Sequence, residues 1–310
     1  MVAGARHPTV VTALERWVGV PVVGLPSTNT EAGHPLCQNR GQARANRRVG
    51  FIENPLKISA KRVWLTPAFV LHQYPYRDTS RIVEAFTREH GRLTLFARGA
   101  AGPKSALRAV LRPFQRLLLS WTGRSEACQL TGAELADGVT RFPSAQLMSG
   151  FYLNELLLKL TVRCDPHPEI FDAYAEAVAA FCAAGIDAPC ADAPAAAPGG
   201  GEVHLRRFEK RLLLELGYGL ELARTEEGRP IEPELYYRFQ PERGAQRCVA
   251  EAPGAVYGRS LADLDAGAFG DARSLRDAKR GLRTASDACL DGRTLKSREV
   301  MSALRQRERP

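Results

Sequence analysis

The strongest constraint on the fold is a switch in hydrophobic period near residue 144. Before it, short apolar runs alternate with polar residues, the period of two that belongs to a half-buried strand. The runs are "FVLHQYPY" (69–76), "SRIVEAFT" (80–87), "RLTLFARG" (92–99), "FQRLLLSWTG" (114–123) and "ACQLTGAEL" (127–135). The second and third are joined by a short turn around Glu89, His90 and Gly91, the fourth and fifth by Arg124, Ser125 and Glu126. These are hairpin spacings. Five short strands in about eighty residues predict a small barrel. "GPKSALRAVLRP" (102–113), between the third and fourth strands, reads equally as a loop or a short basic helix.

From Ser144 the period is helical. "QLMSGFYLNELLLKL" (146–160) carries Leu147, Phe151, Leu157 and Leu158 on one broad face. "PEIFDAYAEAVAAFCAA" (168–184) has Pro168 suited to a first turn. "VHLRRFEKRLLLELG" (203–217) ends at Gly217, a fitting C-terminal cap. Helices are also predicted over 272–290 and 297–306, and one strand at "ELYYRFQ". "GIDAPCADAPAAAPGGG" (185–201) is an Ala/Pro/Gly linker. The predicted class is α+β: a barrel domain over 63–143, then a helical domain over 144–310.

Residues 1–62 stand outside this scheme. "GLPSTNTEAGHPLCQNRGQARANRRVG" (24–50) has no apolar period, and its composition predicts a disordered extension. It reads either as a basic DNA-binding tail or as a stretch upstream of the true start, with Val63 or Leu65 encoded by an alternative initiation codon. A peptide from residues 1–50 in the native protein would refute the second reading.

Charge is unevenly placed. The net charge is +9, yet residues 61–125 alone hold twelve Lys and Arg against three Asp and Glu. Residues 126–310 hold twenty-four against twenty-eight. The basic block is either a solvated surface or a module that meets phosphates. Seven cysteines, Cys37, Cys128, Cys164, Cys182, Cys190, Cys248 and Cys289, form no CxxC pair, which argues against a disulfide framework and a zinc site. The sequence has no apolar run of spanning length and no secretory signal pattern, so a cytoplasmic protein is expected.

Catalytic motifs are scarce: there is no GxxxxGK[ST], GxSxG or HExxH. Asp263 and Asp265 read as caps or solvated residues rather than metal ligands. No catalytic residue, cofactor or metal is expected. The barrel block offers binding chemistry instead. Arg88, Arg92, Arg98, Lys104, Arg108 and Arg112 exceed the local carboxylates, and an unpaired arginine does not enter a small core. They are expected on a face that meets phosphates. Phe86, Phe96 and Phe114 are assigned to the core, and Tyr76 and Trp121 to exposed rings on which bases stack, as on an oligonucleotide/oligosaccharide-binding (OB) barrel. In the helix 203–217, Phe208, Leu212 and Leu216 share a face beside Arg206 and Arg207. That face is either core or an apolar groove rimmed by cations, suited to an acidic peptide.

"FVLHQYPYRDTSRIVEAFTREHGRLTLFARGA" and "LRPFQRLLLSWTGR", then "GFYLNELLLKL", "IFDAYAEAV", "LRRFEKRLLLELGYG", "YRFQPERG", "AKRGLR" and "GRTLKSRE" in order, resemble the RecO recombination-mediator family over about residues 67–305. The resemblance implies an OB-fold barrel followed by a helical domain, with no cofactor-dependent catalysis. It implies binding of single- and double-stranded DNA, annealing of complementary strands, and action with RecR, and in some pathways RecF, to help RecA replace the single-stranded-DNA-binding protein (SSB). Contact with the acidic C-terminal tail of SSB is implied for the helix 205–216, and DNA contact for Arg92 and Arg98. Some members carry a four-cysteine zinc module; here Cys248 stands alone in that region. The rival readings are an RNA-binding OB-fold protein, such as a ribosome-assembly factor, and a metal-dependent nuclease. The nuclease would need clustered carboxylates, and the barrel block has only Asp78, Glu84 and Glu89.

Overall fold

The computed structural model describes residues 62–123, 127–186, 200–218, 220–240 and 243–307. The N-terminal extension, apart from Arg62, and residues 187–199 of the linker lie outside the described residues. Five strands form a closed barrel in the order β1-β2-β3-β5-β4: β1 (Arg62–Tyr76), β2 (Ser80–Thr87), β3 (Gly91–Ala97), β4 (Leu117–Thr122) and β5 (Ala127–Leu135). All neighbours are antiparallel except β3 and β5. This is an OB-like barrel. β1 serves two partners, pairing with β4 over Arg62–Ala68 and with β2 over Ala68–Tyr76, and so closes the cylinder. Its inward side chains, among them Val70, Val83, Leu95, Leu117, Leu119 and Trp121, follow the period of two and fill the interior. The ambiguous segment contains a one-turn helix, α1 (Ala106–Val110), whose Leu107 and Val110 pack on that core.

The helical part comprises α2 (Leu147–Leu160), α3 (Pro168–Ile186), α4 (Gly200–Glu215), α5 (Gly258–Ala266), α6 (Ala272–Cys289) and α7 (Lys296–Arg307). Pro168 opens α3 as expected. Past α4, Gly217 takes φ +80°, and the Tyr218 amide donates to the Leu213 carbonyl, closing the helix. Asp271 caps α6 by accepting from the Ser274 amide at 2.7 Å. The predicted strand at 234–240 is β6 (Tyr236–Gln240), the centre of a three-stranded sheet with β7 (Gly244–Cys248) and β8 (Ala255–Tyr257). Neither β7, β8 nor α5 was signalled by a sequence period. Asp263 and Asp265 lie on α5, where Asp263 accepts from the Ser274 hydroxyl and Asp265 from Lys210.

Barrel and helices share one compact unit, Lys61–Pro310. Several groups of contacts join them, three of them as follows. Phe69 and Phe86, on the outer face of β1 and β2, meet Phe171 of α3 at ring centroid distances of 5.4 and 5.7 Å, and Phe69 meets Tyr174 edge-on at 5.0 Å. Each such buried ring contributes roughly 1.5–3 kcal/mol by removal from water. Asn154 of α2 donates to the Leu71 carbonyl (2.9 Å) and accepts from the Tyr174 hydroxyl (2.6 Å). Gly91 sits at φ +65°, and a Cβ there would lie 2.1 Å from the Asp165 carbonyl oxygen, so the β2–β3 turn admits only glycine.

His72 is buried at the same junction, edge-on to Tyr74 at 4.4 Å. Burial holds its imidazole down at about 4, although nearby Glu84 pulls the other way. In the unfolded chain a histidine takes its proton near 6.5. The neutral folded form is therefore fully favoured above pH 6.5 and loses ground as pH falls toward 4. From pH 7 to 5 about 2 kcal/mol of stability is expected to disappear, read from urea midpoints, and His72→Gln should flatten that slope. An unchanged slope in the variant would assign the loss to other groups.

Candidate nucleic-acid interface

The six barrel cations and two rings predicted as the DNA face divide into two sets. Arg92 is inward. It is 7 % exposed, and its guanidinium donates to Glu84 Oε2 (3.2 Å) and to the Thr161 carbonyl (2.8 Å). Desolvation lowers its pKa, and the Glu84 carboxylate opposes that shift. Glu84, itself buried, also accepts from Thr94 Oγ1 (2.8 Å) and from Arg163 (2.9 Å). The expectation that Arg92 faces phosphates is thus corrected: the barrel arginine is paired, by a carboxylate on the neighbouring strand. Trp121 is corrected as well. It is 3 % exposed and fills the barrel in phase with Leu117 and Leu119, with His90 edge-on at 5.2 Å. Arg88 is exposed but engaged. It grips Asp172 of α3 through two bonds of 3.0 and 2.9 Å, which hold the Asp172 carboxyl below its usual range.

The second set is free. Arg98, Lys104, Arg108 and Arg112 are exposed and make no ion pair among the described residues. The loop that carries them is tied at both ends to the β1–β2 hairpin. The Ala101 amide donates to the Thr79 carbonyl (2.9 Å), and the Gln73 side chain donates to the Leu111 carbonyl. Gln73 in turn accepts from Arg81 (2.9 Å). Arg77 and Arg81, which sequence reasoning did not select, therefore join the four at one end of the barrel. Tyr76 is half-buried there, 5.6 Å from Phe96, with the Arg77 guanidinium 5.3 Å from its ring. Phe96 faces outward beside it, not inward as assigned. Phe86 is buried under the helices rather than inside the barrel, and Phe114 is buried in a stack with Phe142 at 4.1 Å. Of the three carboxylates in 62–123, Glu84 is buried and Glu89 lies in the β2–β3 turn, leaving Asp78 among the cations.

On α4 the predicted tail-binding residues also divide. Phe208 and Leu212 are each 1 % exposed, and Phe208 packs edge-on to Tyr174 at 6.1 Å. Arg206 is buried against Glu209 at 2.6 Å, and the Tyr152 hydroxyl donates to the same carboxylate at 2.5 Å. Burial pushes the Glu209 carboxyl up, against the pull of Arg206. The exposed groove expected along Arg206, Phe208 and Leu212 is thus core, and Leu216 is half-buried. A different groove, of about 490 Å³, opens between α3 and α4. Arg207, Arg211 and His204 line it opposite Glu169, Asp172 and Glu176, with Phe208 at its floor. Arg211 pairs with Glu169 (2.7 Å), and Arg207 donates to the Gly267 carbonyl (2.8 Å).

Among the described residues no cluster of three His, Cys, Asp or Glu could share a metal ion, and no helix is long and apolar enough to cross a membrane. The architecture is of the OB-barrel class with an appended helical domain. Residues 62–139 match the family model for the N-terminal part of recombination protein O, and residues 144–299 the model for its C-terminal part. The chain is 41% identical over 251 residues to a DNA repair protein RecO of Aromatoleum aromaticum, covering 79% of this chain and 98% of the relative. It is 42% identical over 248 residues to that of Thiobacillus denitrificans (79% and 94%) and 38% identical over 269 residues to that of Ralstonia nicotianae (86% and 93%). The chain belongs to the RecO family of DNA repair proteins.

Proposed function

We propose that this chain is a recombination mediator that works by binding, without catalytic chemistry of its own, on DNA in the cytoplasm. It binds single- and double-stranded DNA, anneals complementary strands, and acts with RecR, and with RecF in some pathways, so that RecA replaces SSB on single strands. The observation that carries the reading is the arc of Arg77, Arg81, Arg98, Lys104, Arg108 and Arg112 at one end of the barrel, with Asp78 the one exposed carboxylate that residues 62–123 place among them. Cations placed between two phosphate backbones lower the repulsion that opposes pairing, and they do so without choosing sequence. The helical groove between α3 and α4, with Arg207 at its rim and Phe208 beneath, is where the acidic SSB tail docks in this reading.

The test is annealing of complementary oligonucleotides coated with the cognate SSB, its tail intact or deleted. Tail-dependent acceleration is expected. Acceleration with both coats would remove the helical groove from the reading, and none with either would overturn the mediator role.

A further inference from the structure

We infer that Trp64 is a base-stacking residue by which the barrel distinguishes single-stranded from duplex DNA, an inference that rests on the DNA-binding reading above. Trp64 is 62 % exposed and its neighbour Leu65 50 %, at the N-terminal end of β1. The backbone is bent to place them there. Val63 and Ala68 both pack on the barrel core, although they are five positions apart, an odd step. A strand of period two can do this only by inserting an extra residue. The insertion is a bulge: β1 pairs with β4 at Val63–Trp121 and again at Thr66–Leu119, so Trp64 and Leu65 together face Ser120. Leu65 takes φ +46°, a left-handed conformation that a leucine does not favour, held by donation from its amide to Ser120 Oγ at 3.0 Å. β5 is bulged beside the same serine, which pairs with Gly132 while Trp121 pairs with Leu130, and Thr131 is left exposed.

Strain of this kind is stored at sites that use it. What it yields is an indole in water with the Arg62 guanidinium 5.2 Å from its ring centroid. Arg62 makes no ion pair among the described residues. A cation beside an exposed aromatic face fits one nucleotide unit: phosphate on the arginine, base on the ring. The Arg62 charge at the ring favours an anionic ligand. Duplex bases are already stacked and cannot use the ring, whereas single-stranded bases can.

The test uses the full chain, a fluorescent thymidine oligonucleotide, and a duplex of equal length. Trp64→Ala should weaken single-strand binding about tenfold while duplex binding stays within twofold, and Trp64→Phe should restore most of the loss. Arg62→Ala should lower the single-strand salt slope by about 0.7. In a Trp17→Phe background, emission comes from Trp64 and the buried Trp121, and single strands should quench it where duplex does not. Equal losses on both DNAs, or single-strand affinity unchanged in Trp64→Ala, would overturn the inference while leaving the DNA-binding reading intact. A wild-type chain that binds neither DNA would overturn that reading instead.

Discussion

Glu84→Gln is expected to destabilise the protein by about 3–5 kcal/mol, measured by urea unfolding. The carboxylate is buried and accepts from Arg92, Arg163 and Thr94, which belong to both the barrel and the segment following α2. Its neutral isostere keeps the shape but leaves two buried or half-buried guanidinium groups without a counter-charge. Removing one partner of a buried cluster costs far more than the intact cluster contributes. Arg88→Ala provides the contrast. Its pair with Asp172 crosses the same junction but is exposed, so its loss should cost under about 1 kcal/mol. A Glu84→Gln effect no larger than that of Arg88→Ala would mean that the aromatic contacts of Phe69, Phe86 and Phe171 hold the junction alone.

The largest expected effect on binding comes from neutralising the free cations together. With Arg98, Lys104, Arg108 and Arg112 all changed to alanine, the salt dependence of single-strand binding should flatten by about 2.8 in log–log slope, since each phosphate contact contributes about 0.7. Between 50 and 200 mM salt, that amounts to roughly fifty-fold of lost salt sensitivity. These side chains are exposed, so the variant should unfold at the wild-type urea midpoint. An unchanged slope would move the phosphate contacts elsewhere on the molecule. Including Arg92 in such a series would confuse it, because its loss acts on folding.

The five barrel strands are legible as short apolar runs of strand length bounded by turn residues, as at 87–91 and 122–126. β1 was read only from Phe69, since the bulge at Trp64 and Leu65 breaks its alternation and hides seven residues of strand. The phase of Trp121 with Leu117 and Leu119 is the sequence signal that places it inside. Arg92 is a different case. Its partner lies eight positions away on the adjacent strand, and only the register of β2 on β3 brings the two together. A local charge count cannot see a pairing of that kind. Arg206 and Glu209 are the converse case: their pairing is local, one turn apart on a helix, but only Tyr152 and α7 covering them make it buried. β7 and β8 are only five and three residues long, too short to show a period, so their pairing to β6 is beyond a period-based reading.

The junction around Glu84 has a mechanical consequence. Two domains joined by a flexible tether sample many separations, and whatever one holds reaches the other by chance. Here the barrel is fastened to the helices by buried charge, packed aromatic rings and a turn too tight for any side chain. The arc of cations and the groove between α3 and α4 therefore keep a constant spacing and orientation, as in a jig. A ligand spanning both must have the right length, and shortening or lengthening it by a few residues would be felt as misfit rather than absorbed as slack.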